Sequence, residues 1–414
     1  MKNEILSHMK DPGDLEKLYQ KNKVQFKREF NGIYPELKGN HAADFWYERL
    51  NFRKDIPKKR SNTELLFVVL AALLAGVTAK LPAIFSIDDE FFYSRNVGFI
   101  IFPVLMVYFA WKNKISSLKS GFIALSTLVG LIYINALPAV PESDTLFLAC
   151  THLLLFLWIL FGFTYVQEWN NNTGKRLQFL KYNGDLVVLA ALICIAGGLM
   201  TAITIGLFSL IGFSIEEWYF QNIVVFGLAA VPVVGTYLTQ TNPQLVGKVS
   251  PVIARIFSPL VLVMLVIYLV AMLFSGNDPY RDREFLIIFN ALLIGVMALV
   301  FFSIAGTSAE SKRSSEIWIL FLLSIMTIIV NSIGLSAILF RISEWGMTPN
   351  RAAVLGANGL ILLNLLLVTA QLFRVITKKT DMEAVGKAIA LYLPVYFLWA
   401  IVVTFIFPLI FGIN

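Results

Sequence analysis

After about sixty polar residues the chain changes character, and apolar runs recur to its end with short charged segments between them. A helix needs about 20 residues to cross the hydrocarbon core of a bilayer. Eleven runs meet or approach that length: residues 64–81, 96–111, 121–137, 145–166, 185–213, 220–239, 256–275, 285–306, 316–340, 352–376 and 388–412. The expected fold is all-α, a polytopic transmembrane helix bundle of about 11 spans over residues 63–414, preceded by a small helical region over residues 1–62.

Within that first region, Asp14 follows Pro12 and Gly13 and is placed to cap a helix carrying Leu15, Leu18 and Tyr19. A second helical pattern gathers Val24, Phe26, Phe30, Ile33, Tyr34 and Leu37 before Gly39 and Asn40 interrupt it, and a third gathers Phe45, Trp46, Leu50 and Phe52. Short amphipathic helices of this kind can pack together, lie on the membrane surface or grip a partner. Phe26, Phe30, Phe45 and Trp46 are the residues that would hold a cytosolic protein partner. The plainer reading is packing against the protein's own cytosolic loops.

Composition agrees with the pattern. Hydrophobic residues make up 57% of the chain and charged residues 15%, against about 25% charged in soluble domains, and the mean hydropathy is +0.72. The net charge of +7 lies in short segments beside apolar runs, as membrane orientation requires, and so argues against nucleic acid as a partner.

Those charges also orient the chain. Arg53, Lys54, Lys58, Lys59 and Arg60 precede the first run and hold the N-terminus in the cytosol. Alternate connections then carry Lys112, Lys114 and Lys119; Lys175, Arg176 and Lys181; Lys248 and Arg255; Lys312 and Arg313; Lys378, Lys379 and Lys387. The connections between them carry Asp88, Asp89 and Glu90, then Glu142 and Asp144, then Glu216 and Glu217. The C-terminus is thus expected outside. Two outer connections break the rule with Arg281 and Arg283 in one and Arg341 and Arg351 in the other, and Lys80 sits at the outer end of the first run. The first apolar run begins near Glu64, too late for a cleaved signal peptide.

Candidate chemistry is sparse. Cys150 and Cys194 fall within apolar runs and give no disulfide framework. With His8, His41 and His152 they lack the spacing of a metal site, so neither metal nor cofactor is expected. The runs offer no nucleophile with a base and no paired carboxylates, so an enzyme is not expected either. Their interiors hold neutral polar residues: Asn135, His152, Asn290, Asn331, Asn358, Asn364 and Gln371. The amides read as hydrogen-bonding groups between helices.

Two features draw functional readings. Residues 185–213 would rise about 43 Å as one helix, against a core of about 30 Å, so this run must tilt, bend or break. Gly197 and Gly198 near its middle would form either an interrupted helix lining a cavity or a glycine-lined packing face. The other feature is the connection Arg341-Ile-Ser-Glu-Trp-Gly-Met-Thr-Pro-Asn-Arg351, whose Thr-Pro-Asn predicts a turn and the next helix start. Arg341 and Arg351, with Glu344 between them, could form a fork for a phosphate or carboxylate, joined in space by Arg281 and Arg283. The alternative is that opposite charges in these connections pair with one another.

The stretch from Arg341 to Arg351 with the apolar run Ala352 to Leu372 resembles the C-terminal part of a family of bacterial multi-pass membrane proteins, the domain of unknown function numbered four-one-five-three. The run Ala254 to Tyr268, with its Ser-Pro-Leu and the Asp-Pro connection after it, is similar to the same family. The likeness covers roughly residues 64–412 in layout. It implies a bacterial inner-membrane location and the bundle architecture, and it carries no catalytic residue. The expected function is binding or moving a lipid-like or small amphipathic molecule. The alternative is a membrane-anchored signalling or assembly subunit acting through its N-terminal helices.

Overall fold

The computed structural model describes residues 2–9, 11–51, 62–167, 172–210, 213–242, 249–274, 283–305 and 314–413. The chain divides into two compact units, Met1–Asn62 and Thr63–Asn414.

The first unit holds α1 (Lys2–Ser7), α2 (Pro12–Lys21), α3 (Lys23–Leu37) and α4 (His41–Asn51). The cap of α2 is Asp11, whose Oδ1 accepts from the Gly13 and Asp14 amides at 3.0 and 3.3 Å. Pro12 explains the shift from the expected Asp14, because proline belongs at the first helical position and the cap must precede it. Asp14 instead lies in the first turn and pairs with Lys17 at 2.7 Å. Asn22 and Asn40 begin α3 and α4 in the same way, accepting from Gln25 and from Ala42 and Ala43.

These helices bury one another's apolar faces. Ile5, Leu15, Phe26, Phe30, Ile33, Trp46 and Leu50 form one core, with the Trp46 ring 5.3 Å from Phe26 and 5.6 Å from Tyr19. Three of the four aromatic residues expected to face a partner are therefore inside. Only Phe45, 64% exposed, is outward. Phe52 lies outside the described residues.

The second unit is a helix bundle, with no strand among the described residues. Its elements are α5 (Asn62–Ala79), α6 (Leu81–Phe85), α7 (Asp89–Asn113), α8 (Ser117–Ala136), α9 (Asp144–Val166) and α10 (Thr173–Leu210). After them come α11 (Glu216–Tyr219), a π-turn at Phe220–Val224, α12 (Val225–Thr241), α13 (Val249–Phe274) and α14 (Arg283–Ala305). The last are α15 (Ser314–Trp345), α16 (Pro349–Ile376), α17 (Met382–Ile401), a second π-turn at Val402–Ile406 and α18 (Phe407–Phe411). Among the described residues, eight helical stretches are long and apolar enough to cross a membrane, and three shorter apolar stretches lie in α5, α13 and α14. The protein is a multi-pass membrane protein of the all-α type.

Side chains set the helix starts. Asp88 accepts from the Phe91 amide at 2.7 Å, Ser143 from Leu146 at 3.4 Å and Asp381 from Ala384 at 3.2 Å. Thr348 caps α16 through the Arg351 amide, with Pro349 in the first turn, as Thr-Pro-Asn predicts.

Helix α10 departs most from expectation. It begins twelve residues before the expected run, continues through Gly197 and Gly198 without a break, and ends at Leu210. Its first half is anchored because Phe179, Leu180 and Tyr182 are buried and the Tyr182 hydroxyl meets Thr236 Oγ1 at 2.6 Å. Arg176, 4% exposed, donates to the Ala390 carbonyl at 3.0 Å. Gly197 and Gly198 have no neighbouring atom within 4 Å of the position a Cβ would take, so they line neither a break nor a packing face.

The two largest cores among the described residues run through the bundle. One joins α7, α9, α10 and α12 through Tyr108, Phe109, Phe161, Phe179, Tyr182 and Val233. The other joins α13, α14, α15, α16 and α17 through Leu265, Leu293, Leu323, Val368 and Ile389.

Candidate functional site

The α15–α16 corner is where the sequence points first. Helix α15 ends at Trp345, Gly346 takes a left-handed φ of 75°, and Thr348 starts α16. The guanidinium of Arg351 turns back over this corner, Nη1 donating to the Trp345 carbonyl at 2.9 Å and the Gly346 carbonyl at 2.7 Å. These carbonyls end a helix and have no helical donor, so a cation there satisfies them. Arg341 and Arg351 also approach the Trp345 indole, their Cζ atoms 5.6 and 5.7 Å from its ring centre, within the range of a cation–π contact. Trp345 is 51% exposed. The structure thus joins Arg341 and Arg351 around one exposed ring, and Glu344 is exposed on the turn before it. Arg281 lies outside the described residues. Arg283 is the first residue of α14, and its side chain also lies outside them.

A buried arginine that the sequence reading left out is more deeply used. Arg95 on α7 is 3% exposed. Its Nη1 donates to the Ile134 and Leu137 carbonyls, both at 2.7 Å, and its Nη2 to the Pro138 carbonyl at 3.2 Å. It thereby closes the end of α8, whose last carbonyls lack partners of their own. Beside it Asn96 and Asn135 exchange amide hydrogen bonds at 3.0 and 2.8 Å. The reading missed Arg95 by starting the second run at Asn96. The acidic trio Asp88, Asp89 and Glu90 was the available signal, since it marks a helix start that puts Arg95 almost two turns inside α7.

The interior amides do join helices. Asn358 donates to Asn290 Oδ1 at 2.8 Å, Asn331 to the Asn358 carbonyl at 3.0 Å and Asn364 to the Tyr396 hydroxyl at 3.0 Å. Asn331 Oδ1, Asn364 Oδ1 and Gln371 Oε1 remain buried without a hydrogen-bond donor. His152 Nδ1 faces the Leu148 carbonyl of its own helix at 3.0 Å, with no carboxylate to orient it among the described residues.

Between α7 and α8 lies a groove of about 610 Å³ walled by Phe92, Phe99, Pro103 and Met106 on one side and Ile123, Thr127 and Leu131 on the other. Among the described residues no group of three His, Cys, Asp or Glu side chains is placed to hold a metal ion. No family model matches the chain, and neither a curated protein nor a solved structure is found to be similar to it.

Proposed function

We propose that the protein is a non-enzymatic membrane protein that binds or moves a lipid-like amphipathic molecule, whose anionic head group meets the corner of Arg341, Trp345 and Arg351. The observation carrying this reading is the approach of two guanidiniums to one half-exposed indole at the end of a membrane helix. Indole rings favour the membrane–water boundary, and guanidiniums bind phosphate through paired donors. Lysine placement sets this corner outside, with the N-terminus in the cytosol. An inner-membrane location and kinship with the family of unknown function belong to the same proposal.

The test is native mass spectrometry of the protein in mixed nanodiscs of anionic and zwitterionic phospholipid. Arg341→Gln together with Arg351→Gln should abolish selective retention of the anionic lipid. Retention unchanged in a variant whose melting temperature is also unchanged would sink the head-group reading. Because Arg351 also holds the corner's carbonyls, Arg341→Gln alone is the cleaner arm and should lose part of the selectivity.

A second reading, recruitment of a cytosolic protein, draws on the exposed Phe45 of the first unit. Deleting residues 1–52 separates the two. Lipid retention should survive the deletion if the head-group reading is right.

A further inference from the structure

The groove between α7 and α8 has a length and a lining that bear on its occupant. Its wall on α7 runs from Phe92 to Ala110, which at 1.5 Å per residue is about 27 Å, close to the roughly 30 Å thickness of the bilayer's hydrocarbon core. A phospholipid acyl chain occupies one leaflet, about half of that length, and the groove, of about 610 Å³, offers it a wall made chiefly of apolar side chains.

Four of its five polar side chains spend a donor within the protein, and the fifth, Ser120, lies in the first turns of α8. Thr78 donates to the Leu74 carbonyl at 2.9 Å, Thr127 to Ile123 at 2.8 Å and Thr164 to Phe161 at 2.6 Å. The Asn96 amide is taken up by Asn135 and the Phe92 carbonyl. A ligand with polar groups along its length would lose hydrogen bonds to water and gain few here.

The two ends differ. At one end Arg95 is spent on the carbonyls that end α8. At the other, two lysines are exposed, Lys114 on the α7–α8 turn and Lys119 in the first turn of α8. Lys119 donates to the Gln167 carbonyl at 2.8 Å. Lys114, in a left-handed turn at φ 51°, is exposed, and its ammonium has no hydrogen bond or ion pair among the described residues.

We infer that this groove is a binding site for the acyl chain of an anionic phospholipid, with the phosphate at Lys114 and the chain lying along Pro103, Met106, Ala124 and Leu128. It shares its ligand class with the lipid reading above, on which it rests to that extent. Its residues lie apart from the Arg341 corner, so the two can fail separately.

The experiment is photo-crosslinking of the full-length protein in vesicles of phosphatidylglycerol or phosphatidylcholine carrying a diazirine midway along one acyl chain, with labelled peptides mapped by mass spectrometry. Label should concentrate on residues 99–107 and 123–131. Ala124→Trp, which fills the groove from α8, should cut that yield at least fivefold. Val107→Trp does the same from α7 and covers the case in which the first variant fails to fold. Lys114→Glu should reduce labelling by the anionic probe and leave the zwitterionic probe unchanged. Arg341→Gln should leave groove labelling intact, even where selective retention at the corner is lost. Label spread evenly over the outward residues Leu118, Phe122 and Leu125, or groove labelling indifferent to both tryptophans, would overturn the site. So would residues 99–107 and 123–131 staying unlabelled while those outward residues react, which would mean that protein rather than lipid occupies the groove.

Discussion

The N-terminal unit encloses Ile5, Leu15, Phe26, Phe30 and Ile33, each at most 1% exposed, while the bundle leaves Leu66, Leu70 and Leu74 between 57% and 60% exposed and encloses Asn331, Asn358 and Asn364 at 2% or less. Both units are built from helices of ordinary residues, and their placements are reversed. In water, folding gains from removing apolar surface. In a bilayer the surroundings are as apolar as leucine, so packing and satisfied polar groups hold the helices together. The same residue type therefore carries different weight in the two units.

Phe30→Ala should show the largest effect. Emptying a buried aromatic site costs about 3–5 kcal/mol, and a unit of this size has only about 3–9 kcal/mol in total. Hydrogen exchange should report α2, α3 and α4 opening in this variant while the bundle helices keep their protection. Loss of protection in the bundle as well would break the separation between the units.

Arg95→Ala tests the other side. It leaves the buried carbonyls of Ile134, Leu137 and Pro138 without their charged donor, at a cost of about 3 kcal/mol or more. The melting temperature of the detergent-solubilised protein should fall by several degrees, with the loss of protection beginning at the end of α8. Arg95→Lys should recover only part of it, because an ammonium cannot span three carbonyls as a planar fork does. A neutral Arg95→Ala would mean that α8 is held by packing alone.

These contrasts also explain what a reader of the sequence can see. Apolar length is set by the bilayer, so the runs announced a helical membrane bundle plainly. Helix starts at Thr348 and Asp88 were written locally, in residues adjacent to the helices they begin. Arg95 was not, because its role depends on carbonyls about forty residues away. The charged start of α10 was likewise misread as a connection, since a lysine-bearing helical turn and a lysine-bearing loop look alike until Phe179 and Tyr182 are known to be buried. Phe26, Phe30 and Trp46 were readable as helical apolar positions, but whether such a face meets its own unit or a partner is decided by tertiary packing. At the corner, the sequence put Arg341 and Arg351 on one connection, and only the coordinates bring them to the Trp345 ring.

A double-mutant cycle sharpens the comparison at lower energy. Asn358→Leu breaks the bond to Asn290 Oδ1, and interhelical hydrogen bonds in membranes average about 0.6 kcal/mol. Asn290→Leu on top of it should cost less than the two separate losses combined. Gln371→Leu should be neutral or slightly stabilising, since it removes a buried acceptor that has no donor. A clear loss of stability in Gln371→Leu would assign that amide a partner and move it from the passive interior into the functional part of the bundle.

The smallest effect lies at the surface of the first unit. Lys17 holds the Asp14 carboxyl below its ordinary value, first through their 2.7 Å hydrogen bond and then through its charge. A lowered folded pKa contributes stability that is present above the unfolded value and lost as pH falls through the folded one. Between about pH 5 and pH 3, exchange in the first turn of α2 should therefore quicken slightly, and Asp14→Asn should remove that dependence. Both side chains face water, so salt should weaken the effect as well. The middle stretches of α15 and α16, residues 317–340 and 352–373, carry no titrating side chain, and their amide protection should stay flat across the same window. A parallel pH response there would show that the bundle interior communicates with ionisable groups, and the two units would then differ less in their electrostatics than their burial patterns indicate.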